Sequence, residues 1–237
     1  MIFTKRPIKH FVLAAFIAAS LVFGGSGCKT NDPAAVRDGK DMLLDSLRSK
    51  YGEEFTFVDN AGGGTAMTDH CAIHVHSEKF PEDTVYAVRG VFGGKTENRD
   101  NYMAYYLKAD AEAYLKALAE DIYGKCRVFY VPDEKMLLPE DMGKDATAQE
   151  MLRASKCYYT VVLPAGQDMS DKDRKLDILF EKLKGERIRC YLYIAYIDDD
   201  KYYESLKSAA DIDKAHVAAD CVLGMDDDFN ITDKKWG

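Results

Sequence analysis

Five shortages mark this 237-residue sequence, and each argues against something. Lys and Arg number 32 against 40 Asp and Glu, a net charge of −8. That balance argues against a nucleic-acid groove and against electrostatic adhesion to anionic lipid, since both need clustered cations. Cys-x-x-Cys does not occur, which leaves neither a zinc knuckle nor a thioredoxin-like dithiol signalled. Gly-x-Ser-x-Gly and His-Glu-x-x-His are also missing, so no hydrolase motif is written in the chain. The glycine-rich Asn60-Ala61-Gly62-Gly63-Gly64-Thr65 lacks the Lys and the strand-to-helix setting of a phosphate loop and reads as a turn. Finally, the longest apolar stretch, residues 11–23, falls short of the roughly 20 residues that a helix needs to span a bilayer.

What the chain does contain is the material of a core. Apolar residues make up 47% of it, with 15 Tyr and 11 Phe, so disorder is excluded. About 200 residues beyond the N-terminal stretch are enough for one domain or two small lobes.

The N-terminal stretch is patterned. Lys5, Arg6 and Lys9 precede the apolar run, and Gly24-Gly25-Ser26-Gly27 and Cys28 follow it. A basic region, a short apolar region and small residues make a secretory signal, expected over 1–27. With a cysteine directly after the small residues, the stretch resembles the signal of a bacterial lipoprotein. Gly27 and Ser26 match the family's pattern, and Gly25 stands where Leu is usual. The resemblance implies that Cys28 becomes the mature N-terminus and carries several acyl chains of the palmitate class. Each buried methylene adds about 0.8 kcal/mol, so such an anchor is effectively stable. Residues 28–35 then form a polar tether, and the protein is expected lipid-anchored on the outer face of the cell membrane. Ordinary secretory cleavage and an uncleaved anchor are the alternatives. Loss of the signal removes three basic residues and no acidic ones, leaving 29 cations against 40 anions and a charge of −11.

With Cys28 assigned to lipid, Cys71, Cys126, Cys157, Cys190 and Cys221 remain, an odd count that leaves at least one thiol free or paired between molecules. Most sit in apolar runs, where a small buried thiol is the ordinary explanation, and no pairing is assigned.

Periodicity places the elements. Met42, Leu43, Leu47 and Tyr51 predict an amphipathic helix over 38–50 stopped by Gly52. Strands are predicted over 54–59, 69–78 and 84–92, the last ended by Gly93-Gly94. Asp100 and Asn101 are placed to cap a long helix whose apolar stripe runs from Met103 to Ile122, with Gly124 beyond its end. A strand over 126–131 closes an N-terminal lobe, 36–131. Residues 132–145 read as a linker or long surface loop. The C-terminal lobe, 146–237, is expected to hold helices over 146–155, 170–184 and 198–210, strands over 157–163, 188–197 and 217–225, and a polar tail. Helix, glycine and an aromatic strand with a cysteine recur over 114–131 and 178–197, a weak internal echo. The fold class is α+β, antiparallel sheet with helices packed on one face, in two small lobes. Lys50-Tyr51-Gly52-Glu53-Glu54-Phe55 and Asp100-Asn101-Tyr102 are similar to segments of uncharacterised lipoproteins of Gram-positive anaerobes, a resemblance that brings no activity with it.

The sharpest constellation is His70, His74 and His76. Strand alternation puts all three on one face, opposite Cys71, Ile73 and Val75. Imidazoles so spaced suit Zn²⁺ or Cu²⁺, with Asp69 or Glu78 as a further ligand. The plainer reading is the solvent side of a half-buried strand. Asp226, Asp228 and Asn230 match the start of a calcium loop, but Ile231 stands where Gly is needed. Tyr102, Tyr105, Tyr106, Tyr114, Tyr158, Tyr159, Tyr191, Tyr193, Tyr196, Tyr202 and Tyr203 read first as amphipathic core, and those that strand alternation turns outward suit a protein, peptide or glycan contact. The expected function is therefore a non-enzymatic binding or envelope-structural lipoprotein without cofactor or catalytic residue. A metal-binding lipoprotein comes second and a hydrolase with an unrecognised site third.

Overall fold

A computed structural model describes residues 38–62 and 70–237. The leader, Cys28, the tether and Asp69 lie outside the described residues. Helix α1 (Gly39–Tyr51) begins at Asp38, whose carboxylate accepts from the Lys40 amide, and ends at Gly52, φ 62°. A left-handed residue at that place costs glycine nothing, because it has no Cβ.

Four antiparallel strands follow: β1 (Phe55–Asn60), β2 (Cys71–Ser77), β3 (Phe80–Phe92) and β4 (Lys95–Asp100), in that spatial order. Their inner residues Ile73, Val75, Val85 and Ala87 are fully buried, as are Leu43, Leu47 and Tyr51 of the helix. Each Leu, Ile and Val among them contributes about 1.5–3 kcal/mol by leaving water. Strand β4 has no apolar alternation (Lys-Thr-Glu-Asn-Arg-Asp) and its existence rests on the turn before it. Gly93 and Gly94 have φ of 57° and 82° and pair Phe92 with Lys95, a two-residue hairpin loop of the primed kind. The pair does more than end a strand, then. Its charged edge also discourages pairing with another chain.

Helices α2 (Tyr102–Tyr106) and α3 (Lys108–Tyr123) occupy the stretch expected to be one long helix. The ladder falters only at Leu107, whose amide still bonds the Met103 carbonyl at 3.0 Å. Residues 132–145 form a loop whose Met136 and Leu138 are buried, so two apolar side chains pin a stretch expected at the surface. The Leu138 amide also donates to the Asp100 carbonyl at 2.9 Å.

The second sheet orders β5 (Arg127–Val131), β6 (Cys157–Leu163), β7 (Cys190–Ile197), β8 (Val217–Met225) and β9 (Ile231–Trp236) in sequence. Strands β6 and β7 are parallel, against the antiparallel expectation. The reason lies between them: α5 (Lys172–Gly185) carries the chain back to the same end of the sheet before β7 begins. The remaining pairs are antiparallel. Helices α3 and α5 bury Ala111, Leu115, Ala119, Leu176, Leu179 and Leu183. On this side the Tyr159 hydroxyl donates to the Leu115 carbonyl at 2.7 Å.

Helices on one face hold for the first sheet but not the second. Helix α6 (Asp200–Ser205) and the 206–216 segment cover the other side, where Tyr203, Leu206 and Ile212 pack on Val162, Ala195 and Ile197. Helix α4 (Ala148–Ala154) opens with a capping box between Thr147 and Glu150. The fold class is α+β, and one apolar cluster runs from Leu43 in α1 to Met225 in β8. Among the described residues, no helix is long and apolar enough to cross a membrane.

Candidate functional site

The outer face of the four-stranded sheet carries the histidines. Inward-facing Ile73, Val75 and Ser77 alternate with half-buried His74 and His76. Alternation thus decides which way the imidazoles point.

Two irregularities decide what they meet. The β1–β2 register runs Phe57 to Val75 and then Asp59 to His74, leaving Val58 as the extra residue of a bulge. Without the bulge Val58 would stand opposite His74; with it, the Asp59 carboxylate reaches the ring, Oδ1 to Nδ1 2.7 Å. A second register shift lies between Val75 and Ser77 on the β3 side. There the Asp83 carbonyl takes His76 Nδ1 at 3.1 Å. Tyr86, opposite His74, sets its ring 5.7 Å from the imidazole.

His70 is exposed at the start of the strand, and Glu78 is exposed in the turn after it. Among the described residues, no group of three or more His, Cys, Asp or Glu is arranged to hold a metal ion. The structure therefore ties His74 to the Asp59 carboxylate and His76 to the Asp83 carbonyl, with His70 and Glu78 exposed at the two ends of the strand. Asp59 escaped the sequence reading because strict alternation assigns it to the face of Phe55 and Phe57. Only the bulge turns it around. His216 lies in the short turn just before β8 of the other sheet, its ring 4.2 Å from that of Tyr202.

The calcium-like spacing has a different explanation. Asp226 accepts from the amides of Asp228 at 3.0 Å and Asn230 at 2.7 Å, building the hairpin turn into β9. The expected polar tail is thus an edge strand. It is held to α5 by Trp236 Nε1 on Asp173 at 2.9 Å and Lys234 on Asp177 at 2.8 Å.

A second surface lies on the five-stranded sheet, beyond the part that α6 covers. Tyr158 and Tyr191 stack with centroids 5.3 Å apart and planes inclined by 20°. Gly224 pairs with Tyr191, and a Cβ there would meet that ring at 3.6 Å and Thr232 Oγ1 at 2.8 Å, so the glycine keeps the ledge flat. The Lys156 ammonium sits 3.7 Å from the Tyr191 ring centroid. Val131 and Val222 are exposed on the same face. Tyr159, by contrast, is buried on the opposite side.

The five remaining cysteines are free thiols. Burial raises the Cys126 thiol to about 11 and the Cys157 thiol to about 12. Cys190 is pushed up as well, by burial and then by the neighbouring Cys157. Such thiols lack thiolate character at neutral pH.

No family model matches the sequence, and no curated protein matches it either. Among solved structures, a DUF5037 family protein from Ruminococcus gnavus ATCC 29149, a Gram-positive anaerobe, is a distant structural neighbour. The similarity covers 81% of this chain and 94% of that one at 13% identity, with a TM-score of 0.37.

Proposed function

We propose that this chain is a membrane-tethered extracytoplasmic lipoprotein with a non-enzymatic binding role. The observation that carries the reading is the leader itself: cations, a 13-residue apolar run, small residues and Cys28 in that order. The acidic surface is compatible with it, because acyl chains rather than lysines would hold the chain to lipid. The contact surface on this reading is the Tyr158–Tyr191 ledge, which suits a sugar ring or an extended peptide. Flat aromatic faces with a polar hydroxyl edge supply apolar area and hydrogen bonding together.

Detergent partitioning of the full chain expressed in a bacterial host tests the tether. Wild type enters the detergent phase, and Cys28→Ser moves to the aqueous phase. Equal partitioning of the two would remove the reading.

A further inference from the structure

We propose that His74 and His76 form a two-imidazole chelate for a divalent transition-metal ion of the Zn²⁺, Ni²⁺ or Cu²⁺ class. The site lies on the open face of the four-stranded sheet. This goes beyond the tethering reading and does not depend on it.

The argument starts from the protons. Each Nδ1 faces an oxygen that only accepts: the Asp59 carboxylate for His74 and the Asp83 carbonyl for His76. Both Nδ1 atoms therefore carry a hydrogen, which leaves Nε2 as the ring nitrogen each histidine can offer to an ion. That is the arrangement in which metal-ligating histidines are usually found, with one nitrogen held by a carboxylate or carbonyl and the other free for the ion. The strand supplies the second condition. Residues two apart on one face are separated by roughly 6.6 Å along the chain, close enough for two imidazoles to converge on one ion. Neither side chain is lost to the core, since both are half-buried on the outer face.

The bulge at Val58 gives the arrangement its specificity. It aims Asp59 at His74, and the carboxylate makes that imidazole a stronger donor while fixing its plane. Asp59 is thus a positioning residue. Because no third protein ligand joins the pair among the described residues, the remaining coordination positions belong to water or to a ligand of the ion. Such a site exchanges its metal and stays open, unlike a closed four-ligand structural site. Imidazole donors place Cu²⁺ first in affinity among these ions.

The test is calorimetric titration of the tag-free, chelator-treated full chain in detergent with Zn²⁺ alone. Alongside it run His74→Ala, His76→Ala, the double variant, Asp59→Asn and a His216→Ala control, each checked for fold by circular dichroism. Saturable one-to-one binding is expected in wild type and in His216→Ala. Each single histidine variant should lose tenfold or more in affinity, the double variant all saturable binding, and Asp59→Asn about 10–100-fold with its fold intact. Absence of saturable binding in wild type, or undiminished binding in the double variant, overturns the proposal. Unchanged affinity in Asp59→Asn overturns the role of the carboxylate. Copper electron paramagnetic resonance gives a second readout: splitting from two imidazole nitrogens supports the chelate, and loss of neither nitrogen in the double variant refutes it.

Discussion

The Tyr51 hydroxyl donates to Asp100 Oδ1 at 2.7 Å, joining the last turn of α1 to the entrance of α2. The same oxygen accepts the Tyr102 amide at 3.0 Å, and Lys50 holds the other oxygen at 2.9 Å. The carboxylate is thus satisfied although Asp100 is only 2% exposed. Tyr51→Phe removes one charge-assisted bond and should cost about 1.5–3 kcal/mol. Asp100→Ala strands Lys50 as well and should cost about 3–5 kcal/mol. Urea denaturation checks both, with the slope unchanged from wild type.

Glu53 lies beside this junction, accepting from Tyr102 Oη at 2.6 Å, Ser77 Oγ at 3.2 Å and Lys144 Nζ at 2.5 Å. Burial pushes its carboxyl up, and the bonds from Lys144 and Tyr102 together with the Lys144 charge outweigh that and hold it below 4.5. A carboxyl depressed on folding adds stability that is present above its unfolded value and fades as pH falls through the folded one. Wild type should therefore lose stability below pH about 4.5 more steeply than Glu53→Gln. Melting temperatures measured from pH 3 to 7 decide it, and parallel acid limbs would count against this role.

Arg187 is one of two non-glycine residues with positive φ among those described, at 59°. It terminates α5 in the left-handed cap. The Ile188 amide reaches back to the Leu183 carbonyl at 2.9 Å and the Arg187 amide to that of Lys184 at 3.0 Å. Ile188 and Leu183, both fully buried, complete the motif's apolar contact. A Cβ in that conformation costs about 1–2 kcal/mol, and glycine's larger unfolded-state entropy takes some of the gain back. Arg187→Gly should raise stability by about 0.5–1 kcal/mol, measured as an upward shift of the thermal midpoint.

The elements with apolar rhythm were legible in the sequence. Helices α1, α3 and α5 and strands β2, β3, β6, β7 and β8 all carry it. What escaped was stabilised by something other than rhythm. Strands β4 and β9 are polar edges, made by the Gly93-Gly94 turn and the Asp226 turn that lead into them. The parallel pairing of β6 with β7 was implicit in the helix between them but is a matter of topology rather than composition. At the histidine face, alternation assigned His74 and His76 correctly to one side. It assigned Asp59 to the wrong one, because one bulged residue, Val58, reverses everything after it. Lys50-Tyr51 and Asp100-Asn101-Tyr102 stood out in the sequence as separate segments and meet in the fold as one polar junction.

The tether is tested most directly by the intact mass and N-terminal residue of the chain recovered from bacterial membranes. The account predicts a mature form that begins at Cys28, lacks residues 1–27 and carries the added mass of acyl chains on that cysteine. A form that retains Met1, or that begins at another residue without added lipid mass, would contradict it.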